Sequence, residues 1–403
     1  MQRKKVSLAV DTAPVGAAAA GAATGNGVPV VTDGGSFHGD GISIGMAGLR
    51  VNDRSVAMSN SSLAAASMTS SIPTGPERSA DVPASSASGG EGDRGALDQF
   101  KVLRELGSGT SGVVRLVQHR PSRKRYAMKV IALGCSDQER KQIIVEIKTL
   151  HKSDVPGIIA FKNAFYCDNS VHIVLEYMNC GSLGSVLSRH GALPEALLAR
   201  VTSDVVRGLD HLHRVIRVVH RDIKPGNVLL NAKGEVKLAD FGMSGQLAST
   251  FSRLASWVGT AAYMSPERIS GSEYSYESDI WALGVSLWEC AVGRYPYGTP
   301  VSSEGVDAPR TLQKQGSGSS LLPGDEQRTG MTFWDLLYAI VECEPPPLPS
   351  GCFSASFEQL VAACMVADGS MRPSVAAILA HAWLAEASEA STSLAEWLVP
   401  DPE

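Results

Sequence analysis

The chain has 403 residues, 19% of them charged, and a formal net charge of -5, enough for one large domain or roughly two to three small ones. That balance argues against a general affinity for nucleic acid or an anionic membrane. Its seven cysteines are odd in number and scattered without C-x-x-C spacing, so neither a disulfide framework nor a zinc site is expected; a reduced, cytoplasmic protein with the nucleus as a further compartment is.

At the N-terminus Arg3-Lys4-Lys5 and an apolar stretch through Val10 mimic a leader peptide, but Asp11 and Pro14 interrupt the stretch too early for a secretory core. No apolar run is long enough to span a bilayer. Residues 1–96 are rich in Ala, Gly, Ser and Thr. Such a segment cannot bury enough apolar surface to offset its ordering entropy, so a mostly disordered tail is expected. Two islands interrupt it. In the first, residues 3–10, the basic cluster leads into Val6, Leu8 and Val10. An extended peptide of this kind sets its cations on an acidic patch and alternate side chains into apolar pockets; the plainer reading is a solvated terminus. The second, Gly35 to Val51, shows strand-like alternation in Ile42-Ser43-Ile44 and Leu49-Arg50-Val51. It either packs on the domain that follows or is disordered.

At Phe100 the composition changes. Phe100 to Leu103 reads as a strand running through Leu106 into Gly107-Ser108-Gly109-Thr110-Ser111-Gly112-Val113-Val114. Glycines at these spacings let backbone amides approach a phosphate without Cβ clashes. The loop lies between two strand-like runs, not ahead of a helix as in a dinucleotide fold. Tyr126 to Ile131 is the next strand and carries Lys129. Ser136 and Glu139 suit a capping box for the following helix, on which Ile143, Ile144, Ile147 and Leu150 recur at helical spacing around Glu146. His172 to Leu175 is an apolar strand leading to Glu176-Tyr177-Met178, and a long helix is expected from Glu195 to His213.

Then comes VVHRDIKPGNVLLNAKGEVKLADFG, residues 218–242. Val218-Val219, Val228 to Leu230 and Glu235 to Leu238 read as short strands holding polar loops between them. His220-Arg221-Asp222 with Asn227 five residues on, and then Asp240-Phe241-Gly242, resembles the catalytic loop and metal-binding turn of eukaryotic protein kinases. Tyr126-Ala127-Met128-Lys129 likewise matches the V-A-I-K strand. The resemblance implies an α+β, bilobal fold with a small β-rich N-lobe of five strands and a larger helical C-lobe, and ATP with Mg2+ between them. On it, Asp222 accepts the substrate hydroxyl's proton, Lys224 reaches the γ-phosphate, and Asn227 and Asp240 supply the hard oxygens magnesium prefers. Leu106 through Val114 cover the phosphates, Lys129 holds them with Glu146 as its partner, and the backbone of Glu176 and Met178 pairs with adenine behind Leu175. Ser265-Pro266-Glu267 stands where kinases carry A-P-E, with Glu267 expected on Arg372, and Asp279 is expected to accept amides of the catalytic loop.

Within that superfamily, residues 100–384 resemble the MAP kinase kinases in DFGMSGQL, VGTAAYMSPERI and SYESDIWALGVSLWECAVGRYPY. The basic island is similar to their MAP kinase docking motif, and the second island to a segment of plant-type members. The resemblance implies a dual-specificity enzyme acting on Thr and Tyr of a MAP kinase. It also implies an upstream kinase that phosphorylates Ser256 and either Thr250 (T-x5-S, plant-type) or Ser252 (S-x3-S, animal-type). Thr260 would help fix the substrate-hydroxyl pocket. Ala239 departs from members with a cysteine before the D-F-G, so thiol chemistry is not expected there. Residues 299–330 read as a mobile insert, Pro345 to Pro347 as a rigid connection, and residues 385–403 as an extension whose Leu394 to Leu398 forms a short helix docked on the C-lobe. Two rivals remain on the residues alone: a Ser/Thr kinase one tier higher in the same cascade, and a kinase-fold scaffold without catalysis.

Overall fold

The computed structural model describes residues 29–32, 36–40, 42–51, 96–109, 112–133, 137–241, 261–298, 332–387 and 393–398. Strand-forming runs at the start of the domain make an antiparallel sheet from β5 (Phe100–Gly109), β6 (Gly112–His119), β7 (Arg125–Ala132), β8 (Phe161–Cys167) and β9 (Ser170–Glu176), in the order β5-β6-β7-β9-β8. The β5–β6 hairpin carries the glycines, and two register shifts, at Val102/Arg104 and Glu105/Gly107, bend it. Lys129 pairs across the sheet with Val114 on one side and Ile173 on the other. It is therefore fixed in the middle of a rigid surface. Helix α1 (Asp137–Lys152) packs on β8 of this sheet, and its Ile143, Ile144, Ile147 and Leu150 are all at most 3% exposed. Of the suggested capping pair, Ser136 lies outside the described residues, and so does the side chain of Glu139.

The earlier island is ordered. β1 (Val30–Val31), β2 (Phe37–Gly39), β3 (Ile42–Gly45) and β4 (Gly48–Val51) form a small sheet in that order. Its Phe37, Ile42 and Ile44 are buried in the same apolar core as α1. Of the two readings left open by the sequence, packing on the small lobe is the one observed, because alternation gives β3 one wholly apolar face.

Below the sheet the chain is helical. β10 (Gly181–Ser182) leads into α2 (Leu183–His190), capped by the Ser182 side chain, and then α3 (Glu195–Asp210). The long helix ends as such at Asp210 and continues as a single wider turn, His211–Ile216, closed by Arg217 at φ 63°. Val218 and Val219, expected as a strand, have no ladder partner and are half-buried. The backbone there is taken up by the turn it has just left: Val218 N–H donates to Leu212 O at 2.9 Å. β11 (Val228–Leu230) and β12 (Val236–Leu238) form as expected, β11 pairing with β10 on one side and β12 on the other.

The rest of the large lobe comprises α4 (Pro266–Ile269), α5 (Glu277–Val292), α6 (Phe333–Glu342), α7 (Ala355–Cys364), α8 (Val375–Leu379), α9 (Ala382–Ala387) and α10 (Leu394–Trp397). Helix α5 is buried on nearly every side, with Trp281 at 0% exposure, as its apolar circumference requires. Helix α10 docks where the sequence suggests, burying Leu394 and Leu398 and setting Trp397 4.7 Å from the His190 ring. No helix among the described residues is long and apolar enough to cross a membrane.

One long-range pair ties the lobe together. Arg372 meets both oxygens of Glu267 at 2.9 Å. It also donates to the carbonyls of Val366, Ala367 and Glu277 and lies over the Trp281 ring. Burial alone would raise the Glu267 carboxyl; the hydrogen bond from Arg372 prevails and holds it below the ordinary value. Arg372→Ala strips Glu267 and three carbonyls of a partner at once, so a loss of about 3–5 kcal/mol is expected. The midpoint of urea unfolding is the measurement. For Glu267, a depressed carboxyl stabilises above its unfolded pKa and ceases to as pH falls through the folded one, so the difference between wild type and variant should shrink on acidification.

Candidate active site

The loop from His220 to Asn227 is shaped from below. Asp279, 1% exposed near the start of α5, accepts the backbone N–H of His220 at 2.7 Å and of Arg221 at 2.8 Å, and pairs with His213 Nε2 at 2.8 Å. These bonds outweigh burial and keep its carboxyl below the ordinary value. Arg221 is thereby held at φ 72°, a left-handed conformation uncommon for a side-chain-bearing residue. The sequence pointed to Asp279; His213 as its third partner was not evident, since a histidine on a helix carries no local mark of what it will face.

Asp222 projects from this loop with its carboxylate in reach of two others. Lys224 Nζ lies 2.8 Å from Oδ2 and 3.0 Å from Oδ1. Asn227 Nδ2 donates to the Asp222 backbone oxygen at 2.7 Å and to Oδ2 at 2.8 Å. Both bonds use the amide nitrogen, which leaves the Asn227 carbonyl oxygen out of them.

Across the cleft Lys129 is 2% exposed, with Nζ 3.0 Å from Glu146 Oε1 and 2.7 Å from Asp240 Oδ1. Burial works against the ammonium, but the two carboxylates outweigh it and hold Lys129 well above the usual lysine range. They fare differently themselves. Burial raises the Glu146 carboxyl, Lys129 offsetting this only in part and Asp240 adding to it. Asp240 is held below the carboxylate range, the Lys129 charge prevailing over burial. Asp240 sits at φ 60°, and Phe241 behind it is buried edge-on against His220, with centroids 5.5 Å apart. The strained backbone turns the carboxylate toward the cleft while the ring anchors the turn.

The glycine hairpin roofs this space. Gly112 is at φ 124°, and a Cβ there would lie 2.3 Å from Val130 O, so the fold itself demands glycine. At Gly107 and Gly109 a Cβ would meet nothing within 4 Å. Leu106 is the one partly buried residue between Lys101 and Gly109, and Val113 and Val114 are half-buried. Thr110 and Ser111 lie outside the described residues, as do Gly242, Thr250, Ser252, Ser256, Thr260 and the 299–330 insert.

At the back, Leu175 is 8% and Met178 5% exposed. The Glu176 side chain, to which the sequence assigned only a backbone role, accepts the Ala160 N–H at 2.7 Å and pairs with Lys237. It thus anchors the strand between the lobes to β12. Lys237 alternates outward on β12, and nothing nearby in the chain announces a partner 61 residues away.

A model of the protein kinase domain matches residues 100–384. The chain belongs to the protein kinase family. Over 203 residues the kinase is 50% identical to dual specificity mitogen-activated protein kinase kinase 1 of Dictyostelium discoideum, which covers 50% of this chain and 31% of that protein. The chain therefore spans under a third of the length of that curated relative. The two lobes described above are those of the kinase fold. The residues fit ATP and magnesium: a buried cation under an open glycine roof for the phosphates, and the oxygens of Asn227 and Asp240 for the metal. Bound there, magnesium would supply neutralising charge to the phosphate oxygens.

Proposed function

We propose that this kinase is a dual-specificity MAP kinase kinase, transferring the γ-phosphoryl group of ATP to a threonine and a tyrosine in the activation loop of a MAP kinase. The observation that carries it is the unbroken set of Lys129, Glu146, Asp222, Lys224, Asn227 and Asp240 in bonded geometry, in a chain half of which is similar to a protein of that description. As the substrate hydroxyl attacks the γ-phosphorus, Asp222 takes its proton. The bond from that phosphorus to the bridging oxygen breaks and ADP leaves. Lys224, already beside Asp222, compensates charge on the group in transit. The intact set argues against a scaffold without catalysis, and the basic terminus together with T-x5-S argues against a kinase one tier higher.

In this reading an upstream MAP kinase kinase kinase activates the enzyme by phosphorylating Ser256 and Thr250 or Ser252. A phosphate on the segment would pair with Arg221 and order it. The Ser256→Asp protein, incubated with ATP, magnesium and a MAP kinase, should label both the Thr and the Tyr of the T-x-Y segment, read by mass-spectrometric mapping. Label confined to serines of general substrates would refute the assignment.

The basic island supports docking of an acidic, apolar-pocketed surface on the MAP kinase. Reversing Lys4 and Lys5 to Glu should raise KM for the MAP kinase about fivefold or more at low salt and less at high salt, with turnover of a short peptide unchanged. An unaltered KM at both ionic strengths would discard the docking role.

A further inference from the structure

The small N-terminal sheet touches the helix that carries Glu146. Phe37 and Ile44 have no exposure and Ile42 has 3%, all in the same apolar core as Ile144 of α1 and Tyr166 of β8. The Phe37 and Tyr166 rings lie 6.1 Å apart. At Gly39 a Cβ would stand 2.9 Å from Pro29 and 3.3 Å from Ile144, so strand and helix are in close contact there. Asp40 pairs with Lys148, one turn beyond Ile144. The sheet is tied to β8 as well. Asn163 Oδ1 accepts the N–H of Leu49 at 3.1 Å and of Ala164 at 2.9 Å, at the point where β8 shifts register.

Ile144 and Lys148 are four residues apart and share a face of α1. Glu146, midway between them, points about 200° away from each at the helical pitch. The helix is therefore gripped from opposite sides, by the sheet at Ile144 and Lys148 and by Lys129 at Glu146. Glu146 alone is a poor anchor, since burial opposes its charged form.

We infer that the sheet formed by residues 30–51 is a positioning element for phosphoryl transfer: it presses α1 toward the cleft and so keeps Glu146 on Lys129. The apolar face of the sheet supplies the pressure. The Asp40–Lys148 pair is largely exposed, 68% on the Asp40 side, and contributes registry more than strength. The inference rests on membership of the kinase family and not on which protein is phosphorylated, so its test uses a generic peptide substrate.

The full chain carrying Phe37→Ser, Ile42→Ser and Ile44→Ser loses the apolar face but keeps its length. Its KM for ATP should rise about tenfold, within the usual range of coupling between sites, and amide exchange across α1 should accelerate relative to α5. In a Glu146→Gln background the same triple substitution should change KM by less than about twofold, because the sheet then has nothing left to position. An unchanged KM for ATP would overturn the proposal, and so would an equal rise in both backgrounds, which would mark a general loss of stability. Should the triple variant fail to fold, Gly48→Val serves. Gly48 is at φ 116° and a Cβ there would stand 2.9 Å from Asn163, which levers the sheet off β8; the same two backgrounds are compared and the same outcomes decide.

Discussion

The Asp222→Asn protein should transfer phosphate to its substrate roughly 10²–10⁴-fold more slowly than wild type, with KM for ATP changed by less than about threefold. The expectation follows from what surrounds the carboxylate. Asp222 is touched by Lys224 and Asn227 and by neither Lys129 nor the glycine hairpin in the described contacts, so its loss falls on the hydroxyl's proton and not on nucleotide binding. Asparagine keeps the size but cannot accept a proton, and its amide nitrogen would face the Lys224 ammonium or the Asn227 amide. Single-turnover transfer at saturating ATP isolates the step. A variant that reacts at the wild-type rate would show that the base lies elsewhere in the cleft.

Removal of Lys129 should do damage of a second kind. The Lys129→Met protein leaves Glu146, 2% exposed, and Asp240 facing each other without the cation that bridges them at 3.0 and 2.7 Å. Losing a buried electrostatic donor at the reacting group costs roughly 10²–10³ in rate, and breaking a buried pair costs about 3–5 kcal/mol. The pH dependence distinguishes this account from mere loss of packing. Burial already raises the Glu146 carboxyl; without Lys129 it should rise further. A carboxyl raised in the folded state favours folding below its unfolded pKa and ceases to as pH climbs through the folded value. The variant's deficit in melting temperature against wild type should thus narrow as pH falls from about 8 toward about 5. Asp240, depressed in the wild type, keeps its contribution throughout that range and loses it only on stronger acidification, so the narrowing reports Glu146. A deficit constant over that range would show that charge is not what Lys129 supplies.

Much of this site could be read along the chain because its chemistry is local. Asp222, Lys224 and Asn227 fall within six residues, and their side chains meet because one short loop carries all three. Helix α1 could likewise be placed from the spacing of Ile143, Ile147 and Leu150, and with it Glu146. Misreadings occurred where local pattern and tertiary demand diverge. Val218-Val219 has strand composition, yet the loop that follows must spend its amides on Asp279, and no neighbouring strand offers a ladder. Glu176 gave no sign that its carboxylate would bind the Ala160 amide and Lys237, since both are remote in sequence.

What the order of residues determined by itself is the kind of chemistry: a loop, a lysine strand and a glycine hairpin whose residue types suit phosphoryl transfer, each specified by neighbours a few bonds away. What only the tertiary structure decided is which of these groups touch. Lys129 finds Asp240 across 111 residues and Arg372 finds Glu267 across 105, and residues 37–44 come to rest on the back of α1. The reason is physical: backbone propensity and turn geometry act over a few residues, whereas the burial of apolar faces against one another acts between segments that share nothing but the core they exclude water from.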